Sequence, residues 1–258
     1  MIVGFAGSGN MVAGMARGWS SADGGPERML FTDAGSGRAE ALARETGGEA
    51  VATNGELAAS CDLLVLGVKP KDLDAVAAES GAAPAVLSML GATPVARVAE
   101  AFPQAVAMRL MPNLGVEVHH GVMCLAAAEG APRERVEEVV ELLAPLGRVV
   151  ELEDALIDPA TAVMGCTPAY LALIGQAIAA EGSREGLDFD VSFSLMNDTA
   201  AATAELLRTR SAKELIDAVA SPGGSTEAGL QALDREGARR AFEAAVQASL
   251  ARMRGQDA

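Results

Sequence analysis

The sequence predicts an α/β protein, with a doubly wound parallel sheet over residues 1–152 and an all-α remainder over residues 153–258. Three observations predict it. Short apolar runs alternate with stretches of helical spacing through the first part, the pattern of parallel strands joined by crossover helices. A glycine turn, Gly7-Ser8-Gly9, separates the first apolar run from the first helical stretch. Past Asp154 the strand pattern stops, and four or five helical segments follow.

Taken in order, residues 1–5 form an apolar run of the kind that makes a buried central strand. From Asn10 the spacing turns helical, with Met11, Met15 and Trp19 four residues apart. A second strand, 29–32, ends at Asp33, and a helix follows over 38–46. A short strand is expected at 50–52 and a clear buried one at 63–68 (LLVLGV), stopped by Lys69-Pro70. Residues 85–89 read as a strand, and 93–102 as a helix with Val95, Val98, Ala99 and Phe102 on one face. A strand opens at 105–108 and leads to Arg109-Leu110-Met111-Pro112-Asn113. The strand 122–127, the helix 133–143 and the strand 148–152 close the sheet region. The later helices are placed at 159–180, 190–207, 212–219, 226–234 and 238–253.

Composition narrows the function. Half the residues are hydrophobic but only 3% are aromatic, so the core must be built from Ala, Val, Leu and Met. A net charge of −15 argues against nucleic acid or an anionic membrane as partner. Cys61, Cys124 and Cys166 lack any CxxC pairing, and His119-His120 have no cysteine at ligand spacing, so no metal site or disulfide framework is expected. A reducing cytoplasm fits that cysteine usage, and a strand beginning at Met1 leaves no room for a signal peptide. The uncharged stretch 160–180 is long enough to span a bilayer, but its Thr, Gly, Pro and Gln content and its acidic flanks favour a buried core helix.

Strand, glycine turn and helix together predict a Rossmann-type dinucleotide site, the alternative being an ordinary βα turn with no ligand. Gly7 permits the tight turn, Gly9 lets the backbone approach a pyrophosphate, and the helix start holds the anion. Val12 stands where a third small residue usually allows close helix–strand contact. Asp33 suits the ribose hydroxyls of NAD, whereas Ser36 and Arg38 suit the 2′-phosphate of NADP; Asp33 as a turn residue with Ser36 as helix N-cap is a further alternative. NAD and NADP both stay open.

Four blocks occur in order: Gly4-Phe5-Ala6-Gly7-Ser8-Gly9-Asn10-Met11, Val68-Lys69-Pro70, Arg109-x-Met111-Pro112-Asn113 and Ser221-Pro222-Gly223-Gly224-Ser225-Thr226. Over essentially the whole chain they resemble pyrroline-5-carboxylate reductase, the last enzyme of proline biosynthesis. The resemblance implies a Rossmann domain and a helical dimerisation domain, with sites where domains and subunits meet. It implies reduction of 1-pyrroline-5-carboxylate, or a related carboxylated imine, by NADP- or NAD-borne hydride, in a homodimer that stacks into a ring of dimers. It places Gly7, Ser8, Gly9, Asn10 and Met11 at the cofactor, with Val68, Lys69, Pro70, Met111, Pro112 and Asn113 towards its ribose and nicotinamide end. Ser221, Gly223, Gly224, Ser225 and Thr226 would take the substrate, with Thr226 near the imine nitrogen. Alone, that last run also reads as a Pro-Gly turn with a Ser or Thr helix cap.

Several positions depart from the family pattern. The segment usually written Ser-Gly-Ser-Gly-Pro-Ala is Met164-Gly165-Cys166-Thr167-Pro168-Ala169 here. Leu114-Gly115 replaces a Thr-Pro, while Glu117, His119 and His120 occupy an apolar, glycine-rich run, and Glu227 brings a carboxylate beside the substrate turn. An imine reductase with a different substrate and a catalytically silent dinucleotide-binding paralogue are the rival readings. A 3-hydroxyacid dehydrogenase fits poorly, because no lysine lies between Lys71 and Lys213 to serve on the long inter-domain helix.

Overall fold

The computed structural model describes residues 1–255. They form two compact units, one of Met1–Cys166 with the chain from Leu250, the other of Thr167–Ser249. In the first unit the chain runs β1 (Ile2–Ala6), α1 (Asn10–Ser21), β2 (Arg28–Thr32), α2 (Arg38–Thr46), β3 (Glu49–Ala50), α3 (Asn54–Ser60) and β4 (Leu63–Leu66). It continues through α4 (Leu73–Ser80), β5 (Ala85–Ser88), α5 (Val95–Ala101), β6 (Val106–Pro112), β7 (Gly121–Ala127), α6 (Arg133–Leu143), β8 (Gly147–Glu151) and α7 (Ile157–Met164).

The strands form one sheet in the order β3-β2-β1-β4-β5-β6-β7-β8. All neighbours are parallel except β6 and β7. That reversal follows from chain length. Eight residues, 113–120, join β6 to β7, whereas a parallel return needs a crossover of a dozen or more. The connection from β7 to β8 contains α6, so that pair is parallel again.

Alternation along each strand builds a core on both faces of the sheet. Val3, Phe5, Leu63 and Val65 point into the cluster with Met15, Trp19, Phe31 and Val139. Ala6, Leu64 and Leu66 point the other way, to Leu57, Val76, Val98 and Phe102. Phe5 stacks on Phe31 with ring centroids 5.2 Å apart, and Trp19 Nε1 donates to Leu142 O at 3.0 Å, fixing α1 against α6. Two helices have no counterpart in the spacing pattern, α3 and α4. α3 nevertheless carries a sequence signature: the Thr53 hydroxyl accepts from Glu56 N, while the Glu56 carboxylate accepts from Ala52 N.

Arg109, in the middle of β6, is fully buried and extends its guanidinium to Asp154 and Asp158. Asp154 also accepts from Val95 N at the start of α5. One buried cation thus joins the sheet to the segment that enters α7, and two carboxylates compensate its desolvation.

The second unit contains α8 (Thr167–Arg184), α9 (Phe189–Leu206), α10 (Ala212–Val219), α11 (Ser225–Arg235) and most of α12 (Ala238–Met253), whose residues from Leu250 are grouped with the first unit. α8 and α9 pack closely because Gly175 and Gly182 face Met196 and Ser192, where a Cβ would overlap the neighbour. The expected single helix over 159–180 is two, interrupted at Gly165-Cys166. Nor is α8 a core helix of the single chain. Only Gly175 and Ala179 are buried on it, and Leu171, Leu173 and Ile178 are more than half exposed. Its apolar composition therefore marks a surface that awaits cover.

Gly67, just past β4, passes close beneath α1. A Cβ there would overlap Val12 Cγ2. The small residue missing at position 12 is supplied from the facing strand. Gly67→Ala is expected to cost about 1–3 kcal/mol by overpacking, and Val12→Ala in the same background should recover part of it. A double-mutant cycle from urea unfolding reads the coupling; additive losses would mean that the two side chains do not share the space.

Candidate active site

The sheet order reverses between β1 and β4, so a crevice opens beyond their carboxyl ends, the usual ligand position in such sheets. Gly7 sits there with φ +94°, and a Cβ on it would lie 2.9 Å from Gly67 O, so no other residue fits the turn. Its N–H donates to Thr32 O at 3.1 Å, and the buried Ser8 hydroxyl donates to the same oxygen at 3.0 Å. Ser8 thus uses its side chain to hold the turn against β2. Gly9 is the N-cap of α1 and makes no side-chain cap bond. A Cβ at Gly9 would meet only Gly67 O, at 3.9 Å, so the fold itself does not demand glycine there. The open space above Gly9 and the free N–H groups of the first turn of α1 fit a pyrophosphate. Asn10 is exposed at the helix start, and Met11 is half-buried against the core.

At the end of β2, Asp33 turns back on its own loop. Its carboxylate accepts from Gly35 N (2.7 Å), Ser36 N (3.1 Å), Ser36 Oγ (2.7 Å), Arg38 N (2.7 Å) and Ala39 N (3.0 Å). Burial pushes this carboxyl up, but the hydrogen bonds from Ser36, Ala39, Gly35 and Arg38 outweigh it and hold the pKa at about 2. Ser36 is not the N-cap of α2. Gly37 is, at φ +76°, and the capping acceptor is Asp33. The Arg38 side chain is exposed and makes no hydrogen bond or ion pair among the described residues.

Between these turns lies a cleft of about 420 Å³ whose lining includes Gly7, Asp33, Val68, Asn54, Asp72 and Glu79. Gly7, Asp33 and Val68 are expected from the sequence; Asn54 and Glu79 are not. Asn54 Oδ1 accepts from Thr32 Oγ1 at 2.7 Å, and its Nδ2 donates to Glu79 at 2.9 Å. The signal for Asn54 is its place just beyond a strand's carboxyl end. Lys69 is exposed, and Pro70 starts a 3₁₀ turn, Pro70–Asp72, before α4.

Met111 and Pro112 end β6 with buried side chains. The Asn113 amide is engaged at both ends: Oδ1 accepts from Gly115 N and Val122 N, and Nδ2 donates to Met164 O at 3.2 Å. Asn113 thereby ties the β6–β7 loop to the end of α7. Glu117 and His119, departures from the family pattern, are anchored on α1. Arg17 bridges Glu45 and Glu117, and His119, at φ +61°, bonds Gly18 O through Nε2 at 2.9 Å. Their contacts fasten a loop to a helix. Burial pushes the Cys61 thiol up to about 11, and that of Cys124 up as well, which suits packing rather than nucleophilic chemistry.

In the second unit, Ser221–Thr226 forms a turn that feeds α11. Gly223 has φ +72°, and Gly224 N donates to Ser221 O at 2.9 Å. Gly224 is the N-cap and has no side chain to cap with, so neither Ser225 nor Thr226 serves as the cap. The N–H groups of Ser225, Thr226 and Glu227 have no acceptor among the described residues, and the hydroxyls of Ser225 and Thr226 have no partner either. Ser225 and Thr226 are exposed. Glu227 reaches back, and its Oε2 accepts from Gly223 N at 2.7 Å.

Asp33 links the loop geometry to acid stability. With its folded pKa below the ordinary 3.8, its contribution is complete above the carboxylate range and lost as pH falls towards about 2. Asp33→Ala should cost about 0.5–2 kcal/mol at neutral pH, as for other lost helix caps. Denaturant midpoints at several pH values should show the gap to the parent closing between pH 3.8 and about 2. A gap independent of pH would assign the loss to packing alone.

Comparison with known proteins fits both units. Residues 154–256 match the family described as pyrroline-5-carboxylate reductase dimerisation, and residues 2–90 match NADP oxidoreductase coenzyme F420-dependent. The pyrroline-5-carboxylate reductase of Synechocystis sp. is 32% identical over 88% of this chain and 87% of its own. The crystal structure of 1-pyrroline-5-carboxylate reductase from Streptococcus pyogenes matches with a TM-score of 0.91 at 25% identity, covering 99% of this chain and 98% of that one. The pyrroline carboxylate reductase of Plasmodium falciparum, solved with NADP bound, shares the fold with a TM-score of 0.89 at 23% identity, covering 100% of this chain and 98% of that one. On identity, coverage and fold together, the chain belongs to the pyrroline-5-carboxylate reductase family and is an oxidoreductase.

Proposed function

We propose that the chain reduces 1-pyrroline-5-carboxylate to proline with NADPH or NADH, residues 1–152 holding the dinucleotide and residues 153–258 the dimer contacts and the substrate. The observation that carries the substrate assignment is the start of α11: three N–H groups without an acceptor stand beside two hydroxyls without a partner. Such a helix start takes a carboxylate. When bound, the dinucleotide supplies hydride to the imine carbon, and the nitrogen must gain a proton so that C=N becomes CH–NH. Thr226 donates a hydrogen bond to that nitrogen and orients the ring, the proton itself coming from solvent, while the N–H groups of Ser225 and its neighbours hold the carboxylate.

At the cofactor end, the Gly7-Ser8-Gly9 turn with Asn10 and Met11 faces the pyrophosphate, and Val68, Lys69 and Pro70 line the ribose side. Met111, Pro112 and Asn113 shape the nicotinamide end through the loop that Asn113 ties down. Asp33 fills the N–H cradle at the start of α2, so a 2′-phosphate would meet the Arg38 guanidinium instead of helix amides. The family dimerisation match over 154–256 covers the exposed apolar helices, which supports a homodimer, with stacked dimers as the larger assembly. A cytoplasmic enzyme is the companion expectation.

Two variants test the assignments. Gly9→Val should leave the fold intact, given the room at its Cβ, but abolish dinucleotide binding. Calorimetric titration with NADH and NADPH reads it, and undiminished binding of both would remove the site. Thr226→Val keeps shape but deletes the donor. It should lower kcat/KM for the imine by about 10²–10⁴-fold with little change in cofactor affinity. Reduction of the imine at the parent rate would refute the role.

A further inference from the structure

We infer that Glu227 is a specificity-determining residue, an internal carboxylate that competes with the substrate's own carboxylate at the turn before α11. The inference rests on the proposed assignment of Ser221–Thr226 to the substrate. Glu227 Oε2 lies 2.7 Å from Gly223 N and accepts its hydrogen. Glu227 is half-buried and makes no ion pair among the described residues, so its charge is not neutralised by a neighbouring cation.

An ordinary cap has a different geometry. α10, in the same unit, shows it: Ser211 caps Glu214 N, and the Glu214 carboxylate returns the bond to Ser211 N. At α11 the cap residue is Gly224, which has nothing to return, and its N–H is already committed to Ser221 O. The Glu227 carboxylate passes it and seats on Gly223 instead. One end of the N–H set that would hold a substrate carboxylate therefore already holds one.

Two outcomes follow for an incoming carboxylated imine. It displaces Glu227, which gives up its hydrogen bond, or it binds beside Glu227 and the two negative charges repel across a few ångströms. Both penalise a carboxylated imine, and neither affects the same ring without the carboxylate. The chemistry thus moves the enzyme's preference towards neutral cyclic imines.

The test uses the full-length enzyme and two substrates, 1-pyrroline-5-carboxylate and 1-pyrroline. Glu227→Gln keeps an acceptor oxygen for Gly223 N but removes the charge. The ratio of kcat/KM for the carboxylated to the neutral imine should rise about tenfold, the size of a screened like-charge contact. If the glutamine variant fails to fold, Glu227→Ala is read in the same way. An unchanged ratio, with Thr226→Val still impaired, would make Glu227 a helix cap only and overturn the inference while the substrate assignment stands. A harmless Thr226→Val would overturn both.

Discussion

The close passage of the chain past itself at Gly7 and Gly67 is the constraint on which the first unit depends. A Cβ on either residue would overlap atoms of the opposing segment, backbone at Gly7 and Val12 at Gly67. Because neither has one, β1 and β4 run together to their carboxyl ends and α1 lies directly over them. That approach leaves the first N–H groups of α1 facing the crevice. The demand for glycine at Gly7 is thus made by the fold, whereas the fold leaves room for a Cβ at Gly9. Two glycines of one motif, separated by Ser8, thus stand in different surroundings, and the distance from each Cβ position to its nearest neighbour separates them.

A second regularity concerns where the chain places its own carboxylates. Helix starts leave N–H groups unsatisfied and attract negative charge. At α2 the attraction is met internally by Asp33, whose five hydrogen bonds use up the lone-pair capacity of a carboxylate. At α11 it is met in part, since Glu227 takes Gly223 N and leaves three N–H groups free. At α1 it is not met by any side chain. This gradation orders the three helix starts by their capacity for an external anion: greatest at α1, reduced at α11 and least at α2.

How much of this was legible in the sequence depended on whether the signal was local. Strands buried on both faces, such as Leu63–Leu66, and amphipathic helices such as Arg133–Leu143 announce themselves through composition and period. α3 and α4 escaped because each offers few large apolar residues to set a period, Leu57 in the one and Leu73 and Val76 in the other, although Thr53 and Glu56 carried the capping signature. The reversal at β7 was readable only by counting linker residues. The engagement of Asn113 with Met164, 51 residues away, and of His119 with Gly18 depends on tertiary contact that no local pattern encodes. Likewise, Asp33 was legible as an acidic residue after β2, but the direction its carboxylate faces was not. The replacement for the missing small residue at position 12 lay in another strand, and only the fold could reveal it.

The two units differ most in what they bury. The first closes two apolar clusters around its sheet. In Thr167–Ser249 the only buried apolar side chain among the described residues is Ala179, and Ser192 is the only buried polar one. Five helices with almost no interior of their own lack the hydrophobic term that offsets the entropy of ordering them. Helical propensity does not close that gap, since isolated helices of this length are marginal in water. The dimerisation match over this region implies a homo-oligomer, and Leu171, Leu173 and Ile178 are among the exposed apolar side chains that association can bury. The start of α11, with its exposed Thr226, belongs to this same unit and shares its dependence on that cover.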